Sequence, residues 1–175
     1  MLRKTITGTA IFHVKELRMD FLHPILLPLH NIIRWAVVIT ALLAVGRALA
    51  GWFGKRPWTE MDRKTGVWFT IAMDTQVLIG LLIYFFTSPI TTQALQNFGA
   101  AMGDPVRRYF AVEHIMMMLI ALVLAHVGSA RAKKAGSDLA KHRNAAIWFG
   151  LSIVLVLASI PWPFLATGRP LFPGF

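Results

Sequence analysis

Residues 107–128 read RRYFAVEHIMMMLIALVLAHVG, an apolar run that contains Glu113, His114 and His126. A transmembrane helix needs about 20 consecutive apolar residues to cross about 30 Å of hydrocarbon. Three more stretches of this kind occur, at residues 25–53, 66–86 and 145–164. The four stretches leave little chain for a soluble domain. They predict an all-α integral membrane protein, an antiparallel bundle of four transmembrane helices.

The composition favours the same class. Hydrophobic residues make up 56% and charged residues 15% of the 175 residues, whereas soluble domains usually carry about 25% charge. Cysteine is absent, which excludes disulfides, thiolate-ligated iron–sulfur clusters, covalently attached c-type haem and a cysteine nucleophile. The net charge of +10 is explained by basic loops between membrane segments, so nucleic-acid binding is not expected.

The chain divides into a transmembrane domain, at residues 24–165, and two short ends. The helices are expected at about 26–53, 62–87, 105–130 and 141–161 from their apolar spans and caps. Helix 1 should begin near Pro28, and Thr59 with Asp62 resembles a cap for helix 2. Residues 1–23 form either a loosely ordered tail or a short helix on the membrane surface. Residues 166–175 form a C-terminal tail.

Basic residues set the expected orientation. The first and third loops hold most of them: Lys55, Arg56, Arg63, Lys64, Arg131, Lys133, Lys134, Lys141 and Arg143. Cytoplasmic loops of membrane proteins are enriched in lysine and arginine. We therefore expect these two loops in the cytoplasm and both termini on the outer side.

Two histidines and an arginine are candidates for a cofactor site. His30 and Arg34 lie four residues apart on one face of helix 1, and His114 enters helix 3 from the same side. Imidazole is a common iron ligand, so His30 and His114 predict a bis-histidine b-type haem, with Arg34 beside a propionate or another anion. Counted from the expected helix starts, His30 and His114 lie at depths in the membrane that differ by roughly 10 Å. Two ligands of one iron need a smaller offset, so helix 1 would have to shift outward. The alternatives are a water-capped His30, a helix-bridging hydrogen bond from His114 and an Arg34 that reaches the headgroups.

Asp74 and His126 form a second candidate pair, in the cytoplasmic half of the membrane. A lone carboxylate in hydrocarbon must be protonated or paired, and His126 is its natural partner. The two predict a buried proton-linked pair or a purely structural one. The sequence has no nucleophile–base pair, phosphate loop or metal triad of recognised spacing, so independent enzymatic activity is not expected.

Several motifs occur in order along the chain: His30-Asn31-x-x-Arg34-Trp35, Gly51-Trp52-Phe53-Gly54-Lys55, Asp74-Thr75-Gln76-x-x-x-Gly80, Ala111-Val112-Glu113-His114, Lys141-His142 and Ser159-Ile160-Pro161-Trp162-Pro163. On these motifs, roughly residues 28–165 resemble a family of small bacterial membrane proteins commonly labelled cytochrome b. Members of that family often carry histidine at the position of Asp74. His30 and His114 match the family pattern.

The resemblance implies an electron-transport subunit of the bacterial inner membrane, within a respiratory or photosynthetic complex. Its partners would be membrane lipid and other membrane subunits. The expected cofactor is one haem b, or a quinone beside the bundle. The alternative is a cofactor-free accessory subunit that binds lipid and stabilises a larger complex.

Overall fold

A computed structural model describes residues 3–172, with residues 3–20 described by their helical backbone alone. This part of the chain is helical and contains no strand, which confirms the predicted all-α class. The helices are α1 (Arg3–Phe53), α2 (Glu60–Leu82), α3 (Pro89–Gln96), α4 (Phe98–Gly103), α5 (Pro105–Arg108), α6 (His114–Lys134) and α7 (Asp138–Ala158). A π-helical segment, Ile83–Thr87, extends α2, and a second one, Tyr109–Glu113, joins α5 to α6.

Three helical segments are long and apolar enough to cross a membrane: Phe21–Phe53, Glu60–Thr87 and Pro105–Lys134. The sequence predicts a fourth in α7. That helix has 21 residues and carries Asp138, Lys141 and Arg143 in its first two turns, so its apolar part starts only at Ala145. By length and hydropathy, residues 3–172 therefore contain three candidate spans.

The first helix is longer than predicted. α1 is a single helix of 51 residues that begins at Arg3 and passes through Pro24 and Pro28 without a break, so the predicted start near Pro28 is wrong. Proline lacks the N–H that bonds four residues back, but membrane helices tolerate proline where other groups satisfy the freed carbonyls. At 1.5 Å per residue, α1 is about 75 Å long, more than twice the thickness of the hydrocarbon.

The long helices pack in a definite order. α1 packs against α2 and α7, and α6 packs against the same two helices. α1 and α6 therefore face each other across the middle of the molecule. Buried alanines along the seams let the backbones approach closely: Ala41, Ala44, Ala48, Ala121, Ala125, Ala145 and Ala146. Phe69 and Phe149 fill the centre in an edge-to-face pair, with ring centroids 5.4 Å apart.

Two helix starts predicted from the sequence are confirmed. The Thr59 hydroxyl accepts a hydrogen bond from the Asp62 N–H, and the Asp62 carboxylate accepts one from the Thr59 N–H. The same carboxylate lies 2.8 Å from Arg47 Nη2, which ties α2 to α1. Asp104 accepts a bond from the Arg107 N–H at the start of α5. The connection between the second and third apolar stretches contains the two short helices α3 and α4.

Candidate functional site

A cavity of about 540 Å³ lies between α1, α2 and α6, next to α3 and the segment that follows α7. Most of its wall is apolar, with side chains such as Leu27, Met73 and Leu119. Polar side chains line it as well, among them three histidines, two arginines and a glutamine: His23, His30, His114, Arg34, Arg169 and Gln76. Mostly apolar walls with a small number of polar groups are typical of cofactor and ligand sites.

The two candidate haem ligands lie together at this cavity. The rings of His30 and His114 have centroids 6.5 Å apart and planes inclined at 69°. They come from α1 and α6, the two helices that face each other across the molecule. The expected depth offset of roughly 10 Å is wrong, because it was counted from a helix start near Pro28 and α1 begins at Arg3.

His114 is oriented by the end of α7. Its Nδ1 lies 2.8 Å from the Ser159 carbonyl oxygen, and a carbonyl only accepts, so Nδ1 carries the proton. In a neutral ring, Nε2 then has the free lone pair. The helical partner of the Ser159 carbonyl would be the N–H of residue 163, which is a proline and has none. The carbonyl is thus left for His114 and for the Tyr109 hydroxyl, 2.6 Å away.

His30 is oriented by Gln76. The Gln76 amide nitrogen lies 3.1 Å from His30 Nε2 and donates to it. If the amide is turned over, its oxygen accepts a hydrogen bond from Nε2–H, and the free lone pair of the neutral ring is then on Nδ1. Metal-ligating histidines typically have their second nitrogen held by a neighbouring polar group. His30 and His114 both have this feature.

Gly80 lets His30 pack directly against α2. A Cβ built on Gly80 would lie 3.1 Å from His30 Cε1, closer than the usual carbon–carbon contact of about 3.5–4.0 Å. A larger residue at position 80 would push the imidazole out of place. The spacing from Gln76 to Gly80 puts both residues on one face of α2, beneath the ring.

Arg34 is buried, with 6% of its surface exposed. Its Nη2 donates to the Leu171 carbonyl, and Trp35 Nε1 donates to the same oxygen at 3.3 Å. Trp35 also stacks on Phe172, with ring centroids 5.5 Å apart. Arg34 is therefore enclosed by protein, and it holds the C-terminal segment against α1.

The described part of the cavity lining contains two arginines and three histidines but no aspartate or glutamate. Such a lining favours an anionic or electron-rich ligand. Buried polar atoms in proteins nearly always have a hydrogen-bond partner. Among the residues with described side chains, four have a buried nitrogen or oxygen without one, and three of the four line this cavity: His30 Nδ1, Arg34 Nε and Gln76 Oε1.

Asp74 and His126 lie elsewhere. His126 Nε2 is 2.8 Å from Asp74 Oδ1, and each side chain is 52% exposed. The structure therefore brings the two predicted partners together, but the expectation of a buried pair is wrong. Asp74 is on the outer face of α2, whereas Gln76, two residues later, turns towards the cavity and is 6% exposed.

Sequence reasoning missed several residues at the site. Gln76 and Gly80 stand in the motifs quoted above, but nothing in one sequence says that they contact His30. Ser159 contributes through its backbone, and Arg169 and Phe172 belong to the segment expected to be a tail. The role of a further histidine, away from the cavity, was also missed. His142 is 1% exposed, packs against Trp58 with ring centroids 4.8 Å apart, and occupies the space where Gly51 has no Cβ.

Comparison with known proteins adds nothing to this geometry. No family model matches the chain, and neither the curated proteins nor the solved structures contain a match. In the described residues, no group of three or more histidine, cysteine, aspartate or glutamate side chains could hold a metal ion by itself.

Proposed function

We propose that this chain is an integral membrane electron-transport protein, a small cytochrome b-like subunit that holds one b-type haem between His30 and His114. One observation carries the proposal: two imidazoles from facing helices line one cavity, with ring centroids 6.5 Å apart. Helix bundles build cofactor sites from side chains on facing helices. Histidine nitrogen is a common axial ligand of haem iron.

The donor set fits a haem. Ser159 orients His114 through Nδ1 and leaves Nε2 for a metal. Gln76 orients His30 through Nε2, and leaves Nδ1 for a metal once its amide is turned over so that the amide oxygen accepts from Nε2–H. Two histidines alone make a weak site for a bare metal ion, because first-row metals usually need four or more ligands. A porphyrin supplies the remaining nitrogens itself. The lack of a larger ligand cluster among the described residues is therefore compatible with haem.

The charges of the lining also suit a haem. The propionates of haem b are anions, and Arg34 and Arg169 are the cations of the described lining. Arg34 already donates from Nη2 to the Leu171 carbonyl, and its buried Nε has no partner. A carboxylate near this atom would satisfy it with a charge-assisted hydrogen bond.

A haem bound in this cavity would supply one-electron transfer, and the protein would set its potential through the ligands and the burial. The chain's own residues have three tasks. Gln76 and the Ser159 carbonyl orient the imidazoles, the apolar wall excludes water, and Arg34 with Arg169 balances the charge of the propionates. No residue needs to act as an acid, base or nucleophile, so the protein is not proposed to be an enzyme by itself.

The proposal places the chain in the membrane as an antiparallel four-helix bundle, with α7 as the fourth span. The outer face of α7 is apolar, with Leu151 and Val154 49% and 61% exposed, as expected for contact with lipid. The basic first and third loops then lie in the cytoplasm and both termini outside. The resemblance to cytochrome b-like proteins supports a bacterial inner membrane and neighbouring subunits of an electron-transport complex.

The absence of cysteine makes this topology easy to test. Single cysteines can be introduced at Ser137, just before α7, and at the exposed Ala166, after α7, and then labelled in intact cells with a membrane-impermeant thiol reagent. We expect labelling at Ala166→Cys from outside, and at Ser137→Cys only after the cells are opened. Labelling of both positions from the same side would contradict the four-span arrangement.

The haem is tested by spectroscopy. The purified full chain is loaded with haemin in detergent, and its reduced-minus-oxidised absorption spectrum is recorded. We expect the sharp α band of a six-coordinate b-type haem. His30→Ala and His114→Ala should each abolish that band, whereas His126→Gln, a histidine outside the cavity, should retain it.

A folded chain that binds no haem would overturn the proposal and leave the accessory-subunit alternative. Helix content by circular dichroism separates this result from a failure to fold. A spectrum that is unchanged in both His30→Ala and His114→Ala would mean that haem binds at another place.

A further inference from the structure

The Asp74–His126 pair lies on the outer surface between α2 and α6. The His126 Nε2 to Asp74 Oδ1 distance is 2.8 Å, and each side chain is 52% exposed. Both residues fall inside candidate membrane spans, Glu60–Thr87 and Pro105–Lys134. The pair therefore bridges two helices and still presents half of its polar surface outward.

The surroundings of the pair are apolar. Ile71 and Leu78, one turn on either side of Asp74, are 56% and 60% exposed. Val123, one turn before His126, is 59% exposed. An outward face with these side chains suits hydrocarbon, whereas carboxylate and imidazole groups are expensive there unless they are paired or covered by protein. Lipid alone gives the outer half of the pair no hydrogen-bond partner.

We infer that this face is the interface of a homodimer, in which the Asp74–His126 pairs of two copies contact each other. Two copies in a membrane are related by a two-fold axis along the membrane normal, which keeps every residue at its own depth. Asp74 and His126 lie at one depth, because they are in direct contact. An axis that passes beside this face therefore brings the pair of one copy opposite the same pair of the other.

The chemistry of the pair is self-complementary. A two-fold interface requires that residue i of one copy contacts j of its partner, and j contacts i. With both ring nitrogens protonated, His126 donates one hydrogen bond to the Asp74 of its own copy and a second one to the Asp74 of the other copy. The spare carboxylate lone pairs are then satisfied. The imidazolium and carboxylate charges cancel, so no net charge is added to the hydrocarbon. Interhelical hydrogen bonds of this kind stabilise membrane helix association.

This inference does not depend on the haem, since the pair lies outside the cavity. It is tested in membranes with single-cysteine variants of the full chain, which has no cysteine of its own. Val123→Cys lies on the proposed interface, and Val154→Cys is a matched control on α7, with 59% and 61% of the native side chains exposed. Under mild oxidation, we expect disulfide-linked dimers from Val123→Cys and almost none from Val154→Cys.

A second set of variants tests the pair itself. The dimer dissociation constant in lipid vesicles should rise about tenfold in the Asp74→Leu, His126→Leu double variant, because two symmetry-related hydrogen-bond contacts are lost. The exchange variant, Asp74→His with His126→Asp, keeps the complementarity and should dimerise like the unmodified chain.

Equal cross-linking at positions 123 and 154 would indicate random collision and would overturn the inference. So would a monomeric chain in vesicles, or a dimer that the double leucine variant does not weaken. Cross-linking of Val123→Cys only to a different membrane protein would mean that another partner covers this face, and would also overturn it.

Discussion

Replacing Gly80 with alanine should weaken haem binding without unfolding the protein. The added Cβ would lie 3.1 Å from His30 Cε1 and 3.7 Å from His30 Nδ1. Favourable carbon–carbon contacts begin near 3.5 Å, so the imidazole must move away by about 0.4 Å. His30 would then leave the position in which Gln76 holds its Nε2.

The magnitude follows from the side-chain torsions of His30. Turning a side chain about 30° away from its preferred rotamer costs about 0.5–1.5 kcal/mol, and a shift of about 0.4 Å needs a smaller turn, so this cost is an upper bound. If a bound haem requires the original position, its dissociation constant should rise by up to about tenfold. Alanine also stabilises a helix by up to about 1 kcal/mol relative to glycine, so the thermal stability of the haem-free protein should change little.

The assay is a haemin titration of the purified chain in detergent, followed by absorbance. Gly46→Ala is the matched control, because Gly46 is also helical and a Cβ there would have no atom within 4 Å. This control should bind haem like the unmodified chain and melt at a slightly higher temperature. Equal haem affinity in Gly80→Ala and Gly46→Ala would refute the argument that α2 positions His30.

Three further predictions rest on single contacts. Gln76→Leu removes the amide that orients His30, and should raise the haem dissociation constant about two- to tenfold, the equivalent of one hydrogen bond; an unchanged titration would contradict this. Gly128→Ala places a Cβ 2.8 Å from Phe149 Cδ1, and should lower the free energy of unfolding in detergent by about 1–3 kcal/mol; a melting temperature at or above that of the unmodified chain would rule this out. Asp62→Ala removes the cap of α2 and the ion pair with Arg47. It should reduce the free energy of unfolding, measured by denaturant titration in detergent, by about 1–2 kcal/mol. The control Asp138→Ala, at the exposed start of α7, should have a smaller effect, and an equal effect of the two substitutions would contradict this.

Local features were predictable from the sequence because they depend on neighbouring residues. The cap at Thr59 and the helix start at Asp104 follow from side chains that bond to backbone N–H groups three residues ahead. The candidate spans could be located because a helix that crosses a bilayer needs about 20 consecutive apolar residues. The choice of His30 and His114 as candidates followed from the high cost of polar groups in hydrocarbon.

Contacts between distant parts of the chain were not predictable in this way. Arg34 bonds to the Leu171 carbonyl, 137 residues later, and no local pattern indicates this contact. The expected depth of His30 was wrong because α1 continues through Pro24 and Pro28, whereas the local rule places a proline in the first turn of a helix. The exposure of Asp74 depends on how α2 is rotated about its own axis when it packs against α6. The sequence of one helix does not specify this rotation.

The axial ligands of the haem test the central claim most directly. Near-infrared magnetic circular dichroism of the oxidised, haem-loaded chain distinguishes bis-imidazole ligation from other ligand pairs. The proposed site predicts the bis-imidazole signal, and its loss in both His30→Ala and His114→Ala. A folded chain whose bound haem has any other ligand pair, or one that binds no haem, would contradict it.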